Sequence, residues 1–151
     1  MDPLAYAIGQ EEAELKGFVA ALTEEQGALT SGNTDLLSGI INKKNKNIET
    51  LARLGHQRNL LLKARGFADD REGLEAWAKA TNQQTLVSGF LYFVDEAKEL
   101  NRLNGQLIAM RLTSTQTALA ALAPERAAGQ GLYGPKGQTK FTTGYRLIDT
   151  V

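Results

Sequence analysis

Cysteine is absent from the chain, which excludes disulfides, thiolate metal sites and cysteine nucleophiles and fits a reducing compartment. Histidine occurs once, at His56. It has no second histidine and no carboxylate cluster at ligand spacing, so a metal site has no donor set to draw on, and a surface or capping role is expected. Neither sign of charge is in excess: 17 Lys and Arg balance 17 Asp and Glu. That removes any global attraction to nucleic acid, anionic lipid or a strongly acidic substrate. No run approaches the roughly 20 apolar residues that span a bilayer, and Met1-Asp2-Pro3-Leu4 lacks the basic and apolar regions of a cleaved signal. The expectation is a cytoplasmic chain that binds, if at all, through local surface. Its 151 residues suit one domain.

What is present is helical periodicity. Leu4, Ile8, Leu15, Phe18, Val19, Leu22 and Leu29 recur at helical intervals and predict a first helix over about 4–29. Thr30-Ser31-Gly32-Asn33 is turn chemistry, with Asn33, Thr34 or Asp35 available to cap the next helix. A second helix over about 34–65 carries Leu36, Leu37, Ile40, Ile41, Ile48, Leu51, Leu54, Leu60, Leu61 and Leu62, with Gly66 as its terminating residue. Phe67 to Arg71 reads as a loop, and Glu72 to Ala80 as a short helix turning Leu74 and Trp77 to one side. A third long helix runs from Asn82 or Gln83 to Leu122, where Leu86, Phe93, Leu100 and Leu107 recur every seven residues, as in a coiled-coil seam. The fold class is therefore all-α: an antiparallel, coiled-coil-like bundle of three long helices plus one short linker helix.

Pro124 ends the last helix, dividing a helical domain, 1–123, from a Gly-rich tail, 124–151. The tail holds Leu132, Tyr133, Phe141, Tyr145, Leu147 and Ile148, too sparse to form a core alone. A flexible segment of that kind folds on a partner.

The chemical motifs are weak. Asn42-Lys43-Lys44-Asn45-Lys46-Asn47 lacks the aromatics that stack nucleic-acid bases, so it reads as a solvated face of helix two. Asp69, Asp70 and Glu72 stand where acidic groups suit a helix N-terminus. Gly134-Pro-Lys-Gly-Gln-Thr139 has Gln138 where a phosphate loop needs lysine. Thr113-Ser-Thr-Gln-Thr117 has hydroxyls without a base. Trp77, Phe90, Tyr92 and Phe93 read as core. Asn101, Asn104 and Gly105 interrupt good helix formers in mid-helix; close packing against a neighbour is the reading, with Gly105 admitting the approach. No catalytic constellation and no cofactor site emerges.

Taken together, the two antiparallel helices, the lone Trp in a linker helix, Glu99-Leu-Asn-Arg-Leu-Asn-Gly-Gln-Leu-Ile108 and Leu132-Tyr-Gly-Pro-Lys-Gly-Gln138 resemble the flagellar export chaperone family FlgN. The resemblance covers nearly the whole chain; its specific pieces are Asn-x-x-Asn-Gly and Leu-Tyr-Gly-x-x-Gly-Gln. It implies a cytoplasmic, non-enzymatic chaperone that binds hook-associated proteins of the hook–filament junction, prevents their premature assembly and delivers them to the type III export gate. It implies client recognition by the C-terminal region, which falls here on Leu132, Phe141, Tyr145, Leu147 and Ile148, with Leu112, Leu119 and Leu122 on the last helical turns. Tyr133 of the Leu-Tyr-Gly piece becomes the residue for gate docking. Leucines at helical spacing suit a core as well as an interface, so Leu112, Leu119 and Leu122 stand open between the two. The competing reading is a structural coiled-coil or oligomerisation module with no chaperone role; a small enzyme or nucleotide-binding regulator using the Gly-rich tail is weaker still.

Overall fold

Asp2 and Pro3 start the first helix. Asp2 Oδ1 accepts the Leu4 N–H at 2.9 Å, and Pro3 takes a first-turn position where its missing N–H costs nothing. The computed structural model describes residues 1–122 as α1 (Pro3–Ser31), a 3₁₀ turn (Thr34–Leu36), α2 (Leu37–Ala64), α3 (Arg71–Thr81) and α4 (Gln84–Leu122). Gly32, at φ 75°, closes α1 in the left-handed region that glycine adopts without strain.

The α1–α2 turn uses no side-chain cap, contrary to the expectation for Asn33, Thr34 or Asp35. The 3₁₀ turn feeds α2 directly, and the Leu37 N–H bonds back to the Thr34 carbonyl, so backbone supplies what a side chain was expected to supply. Helix two begins three residues later than the sequence pattern suggests for this reason. Its other end behaves as expected. Gly66 has φ 80°, its N–H reaches the Lys63 carbonyl at 3.0 Å, and the Phe67 N–H reaches Leu62 at 3.1 Å, satisfying two terminal carbonyls.

Asp70 caps α3 by accepting the Gly73 N–H at 2.7 Å. Gly73 is required there: a Cβ would stand 1.9 Å from the Ala68 carbonyl oxygen. Asn82 does not start α4 but ends α3, at φ 58°. Its short polar side chain tolerates that left-handed conformation.

Consecutive long helices run antiparallel, so α1 and α4 point the same way. Lys16, midway along α1, lies over the Phe93 ring at 5.2 Å, and Arg111, further along α4, reaches the Leu29 carbonyl near the end of α1 at 2.8 Å. α1 is the middle helix, because α2 and α4 come no closer than 8 Å between Cα atoms. Side chains fill that wider gap, among them Arg58 of α2 over the Phe90 ring of α4 at 5.3 Å. The main core gathers Leu4, Ile8, Leu15, Phe18 and Leu22 of α1 with Leu51, Leu62, Trp77, Phe90 and Val94. A smaller cluster under the α1–α2 turn joins Ala28, Leu29, Leu37, Ile40 and Ile108. Asp2 is held against the far end of α2 by Arg65, 2.5 Å away.

The seven-residue seam on α4 is displaced from its expected line. Leu86, Phe93, Leu100 and Leu107 are half-buried at the edge of the core, while its buried residues include Val87, Phe90, Val94, Ala97, Asn104 and Ile108. Small Ala97 and polar Asn104 lie on the true line and conceal it from a search for large apolar residues.

Candidate functional site

α4 outlasts the bundle. Arg111 is the last residue tied to α1, through the Leu29 carbonyl, with its guanidinium near Gly32. Beyond it Leu112 is half-buried and every residue from Thr113 to Leu122 is exposed. Leu122 keeps 84% of its surface in solvent, and Leu119 39%. The segment Leu112–Leu122 projects about 16 Å past Arg111 at the helical rise of about 1.5 Å per residue. It carries no charge; the next ionisable residue after Arg111 is Glu125.

Two threonines reduce its polarity further. Thr113 Oγ1 donates to the Ala109 carbonyl and Thr117 Oγ1 to Thr113, each at 2.9 Å. The face that buries Asn104 and Ile108 continues through Arg111, Thr115, Leu119 and Leu122 at helical intervals. Above the α1–α2 turn that face meets no other helix among the described residues.

The bundle interior is organised differently. Five polar side chains are buried in it: Glu11, Glu25, Lys44, Arg58 and Asn104. Arg58 Nη1 donates to both oxygens of Glu11, at 3.1 and 3.2 Å. Lys44 Nζ donates to both oxygens of Glu25 at 3.0 Å. Asn104 Nδ2 donates to Glu25 Oε1 at 2.9 Å and to the Leu22 carbonyl at 2.8 Å. Burial pushes the Glu11 carboxyl up to about 7 against the attraction of Arg58, and the same burial lowers Arg58 against the attraction of Glu11.

The sequence reading of 42–47 as a solvated face is thus corrected at Lys44, which is 2% exposed. The helical turn carries position 44 inward, one heptad before Leu51. Lys43, by contrast, makes an exposed ion pair with Glu24 at 3.3 Å, and Asn47 donates to Glu14 at 2.7 Å. Gly105 also departs from expectation: nothing lies within 4 Å of its Cβ position, so it admits no neighbour. Asn104 alone makes the inter-helix contact attributed to the Asn-Gly motif.

Trp77 and Phe90 are buried, as read, and Phe93 is half-buried. Tyr92 is not core; it is 58% exposed, its ring edge against Phe93. His56 is exposed, as expected. Among the described residues no group of three His, Asp or Glu could hold a metal ion, and no helix is long and apolar enough to cross a membrane. A groove of about 390 Å³ opens between α1 and α2, lined by Gly27, Ala28, Leu36, Gly39 and Ile40 and crossed by Glu24 and Lys43. Leu132, Tyr133, Phe141, Tyr145, Leu147 and Ile148 lie outside the described residues.

Across residues 1–140 the chain matches the FlgN protein family. It belongs to the FlgN family. As a FlgN-family protein it is a non-enzymatic flagellar export chaperone for hook-associated proteins, of a cytoplasmic family. The match takes in the bundle, the projecting end of α4 and the Leu132-Tyr133 piece, and stops before Phe141. Comparison with curated proteins and with solved structures gave no match.

Proposed function

We propose that this FlgN-family chaperone holds its hook-associated client on the projecting end of α4, through Leu112, Leu119 and Leu122, and on the tail residues Leu132, Phe141, Tyr145, Leu147 and Ile148. In this reading 1–123 is the folded scaffold and 124–151 the segment that engages client and export gate, with Tyr133 docking on the gate. The carrying observation is the exposed, uncharged helix end from Leu112 to Leu122. A helix ending in water with no charge and two exposed leucines is poorly explained by solubility alone. It is well suited to an amphipathic client helix, which lays its apolar face along a matching one. Burying one leucine fully contributes about 1.5–3 kcal/mol.

Calorimetry with a hook-associated protein tests the reading on the chain carrying Leu119→Asp and Leu122→Asp. Affinity should fall about a hundredfold or more, at about 1.4 kcal/mol per decade, with the thermal midpoint unchanged. Removing residues after Pro124 should weaken binding further and leave the helical circular dichroism intact. Unaltered affinity in both variants would sink the assignment. Tyr133→Ala should spare client binding and reduce co-purification with the export gate; equal recovery of the gate would remove Tyr133 from that role.

A further inference from the structure

A bundle that serves amphipathic helices presents seams of its own to them. On α1 the buried line runs Leu4, Ile8, Glu11, Leu15, Phe18, Leu22, Glu25, Leu29, alternating steps of four and three. Two of its eight positions are glutamates, fourteen residues apart. Their cations on α2, Lys44 and Arg58, are also fourteen apart. α4 completes both layers, with Asn104 donating to Glu25 and Phe90 lying under Arg58. Each layer therefore draws on all three long helices, and each carboxylate finds its donors only where the native neighbours stand.

We propose that the Glu11–Arg58 and Glu25–Lys44–Asn104 layers are partner-selectivity determinants, which keep a client helix out of the bundle interior and confine it to the uncharged end of α4. This inference rests on the reading of that end as the client surface. A helix with an uninterrupted apolar seam, taking the place of α2, would strand Glu11 and Glu25 away from water without a cation. Taking the place of α4, it would remove Asn104 from Glu25 and the Phe90 ring from Arg58. To enter in place of α2 without that loss, a client needs cations at two seam positions fourteen residues apart. The segment from Leu112 to Pro124 makes no such demand, because no charge occurs in it. Single polar residues at seam positions select partners in coiled coils by the same penalty on wrong pairings.

The test uses the full chain and a synthetic amphipathic peptide with leucine at every seam position. Because the chain has no cysteine of its own, E24C/K43C can be joined by a flexible bis-thiol reagent added after the peptide, and the cross-link yield reports α1–α2 pairing at positions whose long native side chains bridge the two helices. In the otherwise unaltered chain the peptide should bind with the cross-link intact. L119D/L122D should weaken it by about tenfold or more. Adding E11L/R58L/E25L/K44L/N104L to L119D/L122D should restore binding, and the cross-link should now fall as peptide is added. The reversed pair E25K/K44E keeps a charged layer and should continue to exclude the peptide.

A leucine-layer variant that stays helical yet ignores the peptide overturns the inference. So does a chain with native layers whose cross-link is lost to the peptide. If the fivefold variant does not fold, E11L/R58L and E25L/K44L/N104L separately carry the same comparison. Should L119D/L122D leave binding unchanged with the cross-link intact, the client-surface reading fails, and the cross-link in the leucine-layer variants still decides the selectivity claim.

Discussion

The body of the bundle and the end of α4 distribute polarity in opposite ways. Between Pro3 and Arg111, four ionisable side chains and one amide are buried among leucines; from Leu112 to Leu122, exposed leucines and alanines stand in water without one charge. Stability alone favours neither arrangement. Replacing a buried ion pair by well-packed apolar residues is often neutral or stabilising, and exposed leucines contribute nothing until something covers them. On the proposed reading the difference is a division of labour, with polar pairings defining which helices belong together and an apolar end left for a helix that arrives from elsewhere.

The sharpest way to break this comparison is to orphan a charge. Lys44→Ala leaves Glu25 buried with only Asn104 and should cost about 3–5 kcal/mol in urea denaturation, far more than the E25L/K44L double change. A loss under about 1 kcal/mol would mean that the pair is not the buried element described.

The next effect is on pH. A free glutamate titrates near 4.5 and Glu11 in the fold at about 7, so between these values the native chain holds a proton that the unfolded chain has released. Stability should therefore rise as pH falls from about 7 to 4.5 and decline as pH rises through the same window, by an amount on the order of 1–3 kcal/mol. Glu11→Gln should flatten that slope; an unchanged slope would assign it to another group. Asp69 and Glu99, held below their ordinary range by hydrogen bonds from Lys63 and Arg102, act with the opposite sign and at lower pH.

The smallest effect concerns Gly105, whose surroundings are open. Gly105→Ala should raise stability by about 1 kcal/mol through helix propensity alone. A destabilised Gly105→Ala would restore the close-packing role that the structure denies it.

The long helices, the linker helix with Trp77 and the C-terminal glycine of α2 were all legible from periodicity and turn chemistry. The buried layers were not, because a stripe sought among apolar residues skips Glu11 and Glu25 and sees only gaps. The signal was nonetheless present: Ile8 to Leu15 and Leu22 to Leu29 are each seven residues, and a glutamate falls at the intermediate seam position in both. Lysine fourteen residues before Arg58 on the next helix completes the pattern. Tyr92 was misplaced for a related reason, since a hydrophobic ring next to Phe93 looks like core until the helix phase is fixed by Ala97 and Asn104. Capping at Asn33 to Asp35 failed because backbone geometry, invisible in composition, took the donors first.

The continuity of α4 has a mechanical consequence. One unbroken helix runs from Gln84, beside the linker helix, to Leu122, parallel to α1 and bonded to it at Asn104 and Arg111. A pull on its far end along the axis loads those contacts together, in shear, whereas a sideways pull opens Arg111 first and Asn104 after it. The same projecting end is thus stiff to tension in one direction and yields one contact at a time in the other.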